Sequence, residues 1–123
     1  MPVVRASQRY VETTETSQPS VLNREEWISE PGGLTQFGAF IHVLAPGTRS
    51  SIKHWHDSED ELAYVLEGEL TVIEGEEEYL LRPGDAAAFP KGSPLGHYLW
   101  NKGALPVKCM IVGTRAEKDL ITY

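Results

Sequence analysis

With 123 residues, 41% of them hydrophobic, the chain is the size of one domain and can bury roughly two thirds of its unfolded surface. A formal net charge of -7 argues against binding nucleic acid or an anionic membrane through a basic face. One cysteine, Cys109, excludes an internal disulfide, no apolar run approaches the roughly 18 residues of a membrane span, and MPVVRASQRY lacks the apolar core of a signal peptide, so the expectation is a soluble cytoplasmic protein.

Residues 1–20 are polar and rich in Ser and Thr, and Val3-Val4 and Tyr10-Val11 could each form a short strand; a loosely held tail is the competing reading. In 21–33, Asn23 is placed as the N-cap of a short helical turn over Arg24-Glu25-Glu26-Trp27 that Pro31-Gly32-Gly33 ends. Leu34 to Leu44 reads as a strand, with Phe37, Ala39, Ile41 and Val43 on one face and Gln36, Gly38, Phe40 and His42 on the other. Ala45-Pro46-Gly47 is a turn. Further strands are predicted over Ile52 to His56, Leu62 to Leu66, Leu70 to Glu74, Glu78 to Leu81, Ala86 to Phe89, His97 to Asn101 and Val107 to Val112, with Gly or Pro in most of the intervening turns. Ala116 to Tyr123 fits a short helix or an edge strand equally. Short strands at this spacing, with no long helical period, indicate an all-β sandwich or barrel.

The chemistry concentrates in GTRSSIKHWHDSEDELAYVLEG, Gly47 to Gly68. Strand side chains alternate faces, so His54 and His56 point one way and Trp55 the other, with the imidazoles about 7 Å apart along the strand. The turn Asp57-Ser58-Glu59-Asp60 then brings Glu61 back towards them. A second stretch, Gly84 to Gly92 followed by His97 and Asn101, completes a pattern. Together the two stretches resemble the two motifs of the cupin superfamily. The first motif runs Gly47, six residues, His54-Trp55-His56, four residues, Glu61, six residues, Gly68. In the second, Gly84, Pro90, Gly92 and Asn101 match, while four residues instead of the usual two precede His97; the insertion lies within Ser93-Pro94-Leu95-Gly96, where it lengthens a loop. The resemblance covers roughly residues 35–113.

The resemblance implies a double-stranded β-helix, the small jelly-roll barrel known for cupins. It divides the chain into an N-terminal arm with a short helical turn (1–33), the barrel (34–113) and a C-terminal tail (114–123). By family habit the arm adds to a neighbouring subunit's sheet, which implies a homodimer. The resemblance also implies that His54, His56, Glu61 and His97 bind one divalent transition metal: Zn, Mn, Fe or Ni. Three imidazoles and one carboxylate suit such an ion better than the all-oxygen preference of Mg or Ca.

Glu61 is preferred over Glu59 and Asp60 because of its distance to Gly68, and because alternation sets it on one face with Ala63 and Val65; the other acids read as a solvated turn. His42 matches no motif ligand and reads as a residue at the core edge or behind the ligands. Tyr98 and Trp100 oppose His97, Leu99 and Asn101 and read as packing, as does Trp55. Asn101 reads as structural, and Gly68, Gly84 and Gly92 as turn formers with positive φ. Arg49, Arg82, Lys91 and Lys102 are candidates for holding an anionic substrate, with none placed in a pocket by sequence. Cys109 sits in an apolar run and reads as a small core residue. No phosphate loop and no local signature of a nucleophilic serine is present, so any chemistry belongs to the metal. The function implied is a metal-dependent enzyme on a small organic substrate, of sugar-phosphate isomerase type; an Fe(II) dioxygenase and a non-catalytic binder or sensor are the alternatives.

Overall fold

The structure is a computed structural model that describes residues 2–16, 18, 20–50, 59–115 and, as backbone only, 55–56 and 121–122. In chain order the strands are β1 Tyr10–Glu15, β2 Leu22–Trp27, β3 Phe37–Leu44, β4 Trp55–His56, β5 Glu61–Glu67, β6 Leu70–Glu74, β7 Glu77–Leu81, β8 Ala86–Phe89, β9 His97–Trp100, β10 Val107–Thr114 and β11 Ile121–Thr122. A six-stranded sheet has the order β1-β2-β3-β10-β5-β8, a three-stranded sheet the order β7-β6-β9, and β11 pairs with β4. Every pairing is antiparallel.

The core draws on both sheets. Leu44, Ala63, Val65, Phe89, Val107, Cys109 and Ile111 come from the larger one, and Leu70, Val72, Leu81 and Leu99 from the smaller. Alternation explains which side chains enter. Ala63 and Val65 of β5 are buried while Leu62, Tyr64 and Leu66 are exposed, and Val107, Cys109 and Ile111 are the buried positions of β10. This is the all-β, two-layer architecture expected of a double-stranded β-helix. Among the described residues no helix is long and apolar enough to cross a membrane.

The strands over 70–74 and 86–89 have the limits predicted, those over 34–44, 62–66, 78–81, 97–101 and 107–112 differ by one to three residues, and the start of the one predicted over 52–56 lies outside the described residues. The helical turn at 23–27 does not form. Asn23 is instead buried in β2, where its Oδ1 accepts from the Ala45 amide (2.9 Å) and the Thr48 hydroxyl (2.9 Å) and its Nδ2 donates to Arg49 O (3.3 Å). β2 is paired on both edges, to β1 and β3, and those ladders outweigh a capping preference of about 1 kcal/mol. Val3-Val4 forms no strand; a single 3-10 turn over Ala6–Gln8 precedes β1, which pairs to β2 of its own chain. The open choice at the C-terminus falls to a strand for Ile121–Thr122.

The turn between β5 and β6 requires glycine. Gly68 has φ 83°, and a Cβ there would lie 2.9 Å from Pro106 O and 3.1 Å from Val107 Cγ2. Asn101 ties the neighbouring loops together. Its Nδ2 donates to Leu44 O (3.0 Å) and Leu105 O (2.8 Å), and its Oδ1 accepts from Gly103 N (3.0 Å).

Candidate functional site

Glu61 opens β5 on the inward face shared with Ala63 and Val65. His97 opens β9 in the other sheet and is almost fully buried, at 3% exposure. The two meet across the interior, with His97 Nε2 3.3 Å from Glu61 Oε1. Phe89, the register partner of Glu61, fixes the imidazole plane: the rings stack with centroids 3.7 Å apart and 5° between planes.

Glu61 and His97 form part of the wall of a cavity of about 320 Å³, together with Glu25, His42, Glu59 and Arg115 among others. His42 points inward from β3, level with buried Cys109 of β10 and across from Glu25 of β2. Burial pushes the His42 pKa down to about 4, and the Glu61 charge offsets this only in part. His42 is therefore a neutral imidazole at pH 7. Burial raises the Glu25 carboxyl above the usual range, with the Glu12 charge adding to it. Burial likewise lifts the Cys109 thiol to about 12, helped by Glu61, which makes it a core residue and a poor nucleophile.

Of the four residues singled out as ligands, the fold brings Glu61 and His97 together. His54 lies outside the described residues, and for His56 the structure describes the backbone alone, paired to Ile121. Among the described residues no group of three or more His, Cys, Asp or Glu side chains is gathered around one point. The acidic turn divides. Asp60 is exposed and its Oδ1 accepts from the Lys91 amide at 2.8 Å, whereas Glu59 is half-buried and lines the cavity.

The four candidate cations also need correcting. Arg49 lies over Trp100 (4.4 Å) and Tyr98 (5.1 Å), Lys102 pairs with Glu78 and sits over Trp100, and Arg82 and Lys91 are exposed. None of them is among the described residues of the cavity wall, where the one Lys or Arg is Arg115. Nothing local in the sequence marks Arg115. His42 reads from the sequence as a residue at the core edge or behind the ligands, and strand alternation alone does not say that β3 borders a cavity.

An antiparallel two-sheet barrel with an imidazole and a carboxylate meeting in its interior cavity defines the class. The chain belongs to the cupin superfamily: residues 40–113 match the family model for the cupin domain. No curated protein matches. Among solved structures, a sugar phosphate isomerase of the cupin superfamily from Silicibacter pomeroyi is 38% identical, with a TM-score of 0.80 over 82% of this chain and 64% of that one. This chain thus spans less than two thirds of that protein. An Acidithiobacillus ferrooxidans protein with a provisional sugar phosphate isomerase label is 26% identical, with a TM-score of 0.86 over 98% of this chain and 80% of that one. A predicted oxalate decarboxylase from Thermotoga maritima, 20% identical with a TM-score of 0.75 over 93% of this chain and 99% of that one, shares the fold.

Proposed function

We propose that this chain is a metal-dependent cupin enzyme acting on a small hydroxylated substrate, with isomerisation of a sugar phosphate as its reaction. The observation that carries the reading is the meeting of Glu61 and His97 at 3.3 Å in the wall of a small-molecule-sized cavity. The descriptions of the Silicibacter and Acidithiobacillus relatives support the choice of reaction. The donor chemistry fits a divalent transition metal (Zn, Mn, Fe or Ni), because imidazole and carboxylate are the ligand types such ions take. His54, His56, Glu61 and His97 would hold it. When bound, it supplies a Lewis acid that polarises a carbonyl oxygen.

The chain's own groups then handle position and protons. Isomerisation moves a proton from the carbon beside the carbonyl and returns one to the neighbouring carbon. Glu25, whose carboxyl burial raises, is the wall group suited to accept and return that proton, and His42, held neutral by burial, can hydrogen-bond a substrate hydroxyl. Phe40 and Leu99 add apolar wall that limits water.

Element analysis of protein purified without chelators or a histidine tag tests this, together with ketose-to-aldose assays on pentose and hexose phosphates. The expected result is about one Zn, Mn or Ni per chain and isomerase turnover. Stoichiometric iron with oxygen uptake would replace the reading with a dioxygenase, and full metal with binding but no turnover would leave a sensor. Loss of metal in His56→Ala and Glu61→Ala with an unchanged β-rich circular dichroism spectrum is the matching expectation for the ligands.

Leu62, Tyr64 and Leu66 are 40–41% exposed on the outer face of β5, beside the outward Ala86 and Ala88 of β8 and Met110 and Val112 of β10. Such a contiguous apolar face fits a second copy of this chain in a cytoplasmic homodimer. Sedimentation equilibrium should give a dimer that Tyr64→Lys shifts to monomer; a monomeric wild type would remove the assembly claim.

A further inference from the structure

The described wall of the cavity is unevenly charged. It carries the carboxylates of Glu25, Glu59 and Glu61, and among its described lining residues the one Lys or Arg is Arg115. On a chain of net charge -7, that guanidinium is the one positively charged side chain the described wall offers an anion.

Arg115 is held in place from several directions. Its amide donates to Gln36 O at 3.0 Å, its Nη2 donates to Glu30 Oε1 at 2.6 Å, and its Nη1 donates to Leu34 O at 3.4 Å. The Ser29 hydroxyl donates to the same Glu30 oxygen at 2.6 Å, which steadies the carboxylate. The guanidinium carbon lies 6.0 Å from the Trp27 ring centroid. Beneath both is Gly38, where a Cβ would stand 3.1 Å from Arg115 Nη2, 3.3 Å from Nε and 3.1 Å from Trp27 Cζ3. Glycine at 38 therefore lets the Arg and the Trp settle onto the inward face of β3. Side-chain contacts to Glu30 and Leu34 engage two of the five guanidinium donors.

We propose that Arg115 is the residue by which the cavity recognises its ligand, binding an oxyanion group, phosphate or carboxylate, at one end of a small hydroxylated molecule. A planar guanidinium fork matches both groups. Gly38 and Trp27 set its position, and Glu30 both orients it and competes with the incoming anion. The inference rests on reading this cavity as the substrate site.

The test is calorimetric titration of the protein as purified with ribose 5-phosphate, ribonate and ribose, with metal content measured on the same samples. Wild type should bind at least one of the two anions more tightly than ribose, and which one it prefers separates phosphate from carboxylate. Arg115→Gln should weaken binding of the anion by about tenfold or more, as expected for a lost charge-assisted hydrogen bond, and leave ribose unchanged. Gly38→Ala, which keeps the arginine but displaces it, should weaken the anion in the same selective way. Glu30→Gln should strengthen it. Equal losses for ribose and the anions, no anion preference in wild type, or weaker anion binding in Glu30→Gln would overturn the assignment. Metal-free wild type that prefers anions through Arg115 would sink the metalloenzyme reading and keep this one, whereas metal-loaded protein indifferent to Arg115 would do the reverse.

Discussion

Glu61 Oε1 and His97 Nε2 stand 3.3 Å apart although 36 positions separate them in the chain. Each opens a strand, one in each sheet, so their contact marks where the two layers come together at the cavity. The Phe89 ring, stacked on the imidazole, makes that meeting rigid.

If this pair contributes two ligands, either His97→Ala or Glu61→Gln should lower metal affinity by more than roughly tenfold, since even residues that only support ligands carry 10–100-fold effects. Asp60→Asn is the control, because Asp60 is exposed and turned towards the Lys91 amide. Equilibrium dialysis against a metal buffer should show loss in the first two variants and retention in the third. Equal retention in all three would remove Glu61 and His97 from the ligand set.

His42 predicts a pH dependence of stability. Its pKa is about 4 in the folded chain against 6.5 for an ordinary histidine. Between those values the unfolded state carries a proton that the folded state lacks. Stability from this group is therefore complete above about pH 6.5, declines as pH falls, and levels off below about pH 4. The loss should be on the order of 3 kcal/mol. His42→Gln cannot show it, so in chelator-treated protein the urea-unfolding free energies of wild type and variant should converge on acidification from pH 7 to pH 4.5. A difference that stays constant with pH would mean that His42 is not held neutral by burial.

Cys109 should be silent towards thiol reagents. It is fully buried, and a thiol raised to about 12 offers almost no thiolate at pH 8. Native protein should show no reaction with a disulfide reagent over an hour, and one thiol per chain should react in denaturant. Rapid labelling of the native state would contradict the packing of β10.

Asn101→Asp separates a structural role from a role in the site. The carboxylate lacks the two N–H donors that now reach Leu44 O and Leu105 O, and it places charge beside buried carbonyls. The expected cost is about 3 kcal/mol or more in unfolding free energy, with metal content per folded chain unchanged. Selective loss of metal from a chain of undiminished stability would move Asn101 into the site.

Much of the barrel was legible because strand side chains alternate over two residues, a period that neighbouring positions alone reveal. That period put Glu61 with Ala63 and Val65, and His97 with Leu99, before any partner strand was known. The helical turn placed over 23–27 went wrong for the complementary reason. Asn23 is a good cap in isolation, but its buried amide is satisfied by Ala45, Thr48 and Arg49, which lie more than twenty residues away.

The sequence by itself determined the superfamily, the all-β architecture, and the alternation that sets Glu61 with Ala63 and Val65 and His97 with Leu99. Only the tertiary structure decided what lies opposite those faces. It brought Glu61 to His97, set His42 level with Cys109 beside Glu25, turned Glu59 to the cavity, and seated Arg115 over Gly38 beside Trp27 and Glu30. Which way a side chain points along a strand is a local matter of backbone geometry. What it meets depends on sheet order and on the packing of two layers, which join residues that no short stretch of sequence holds together.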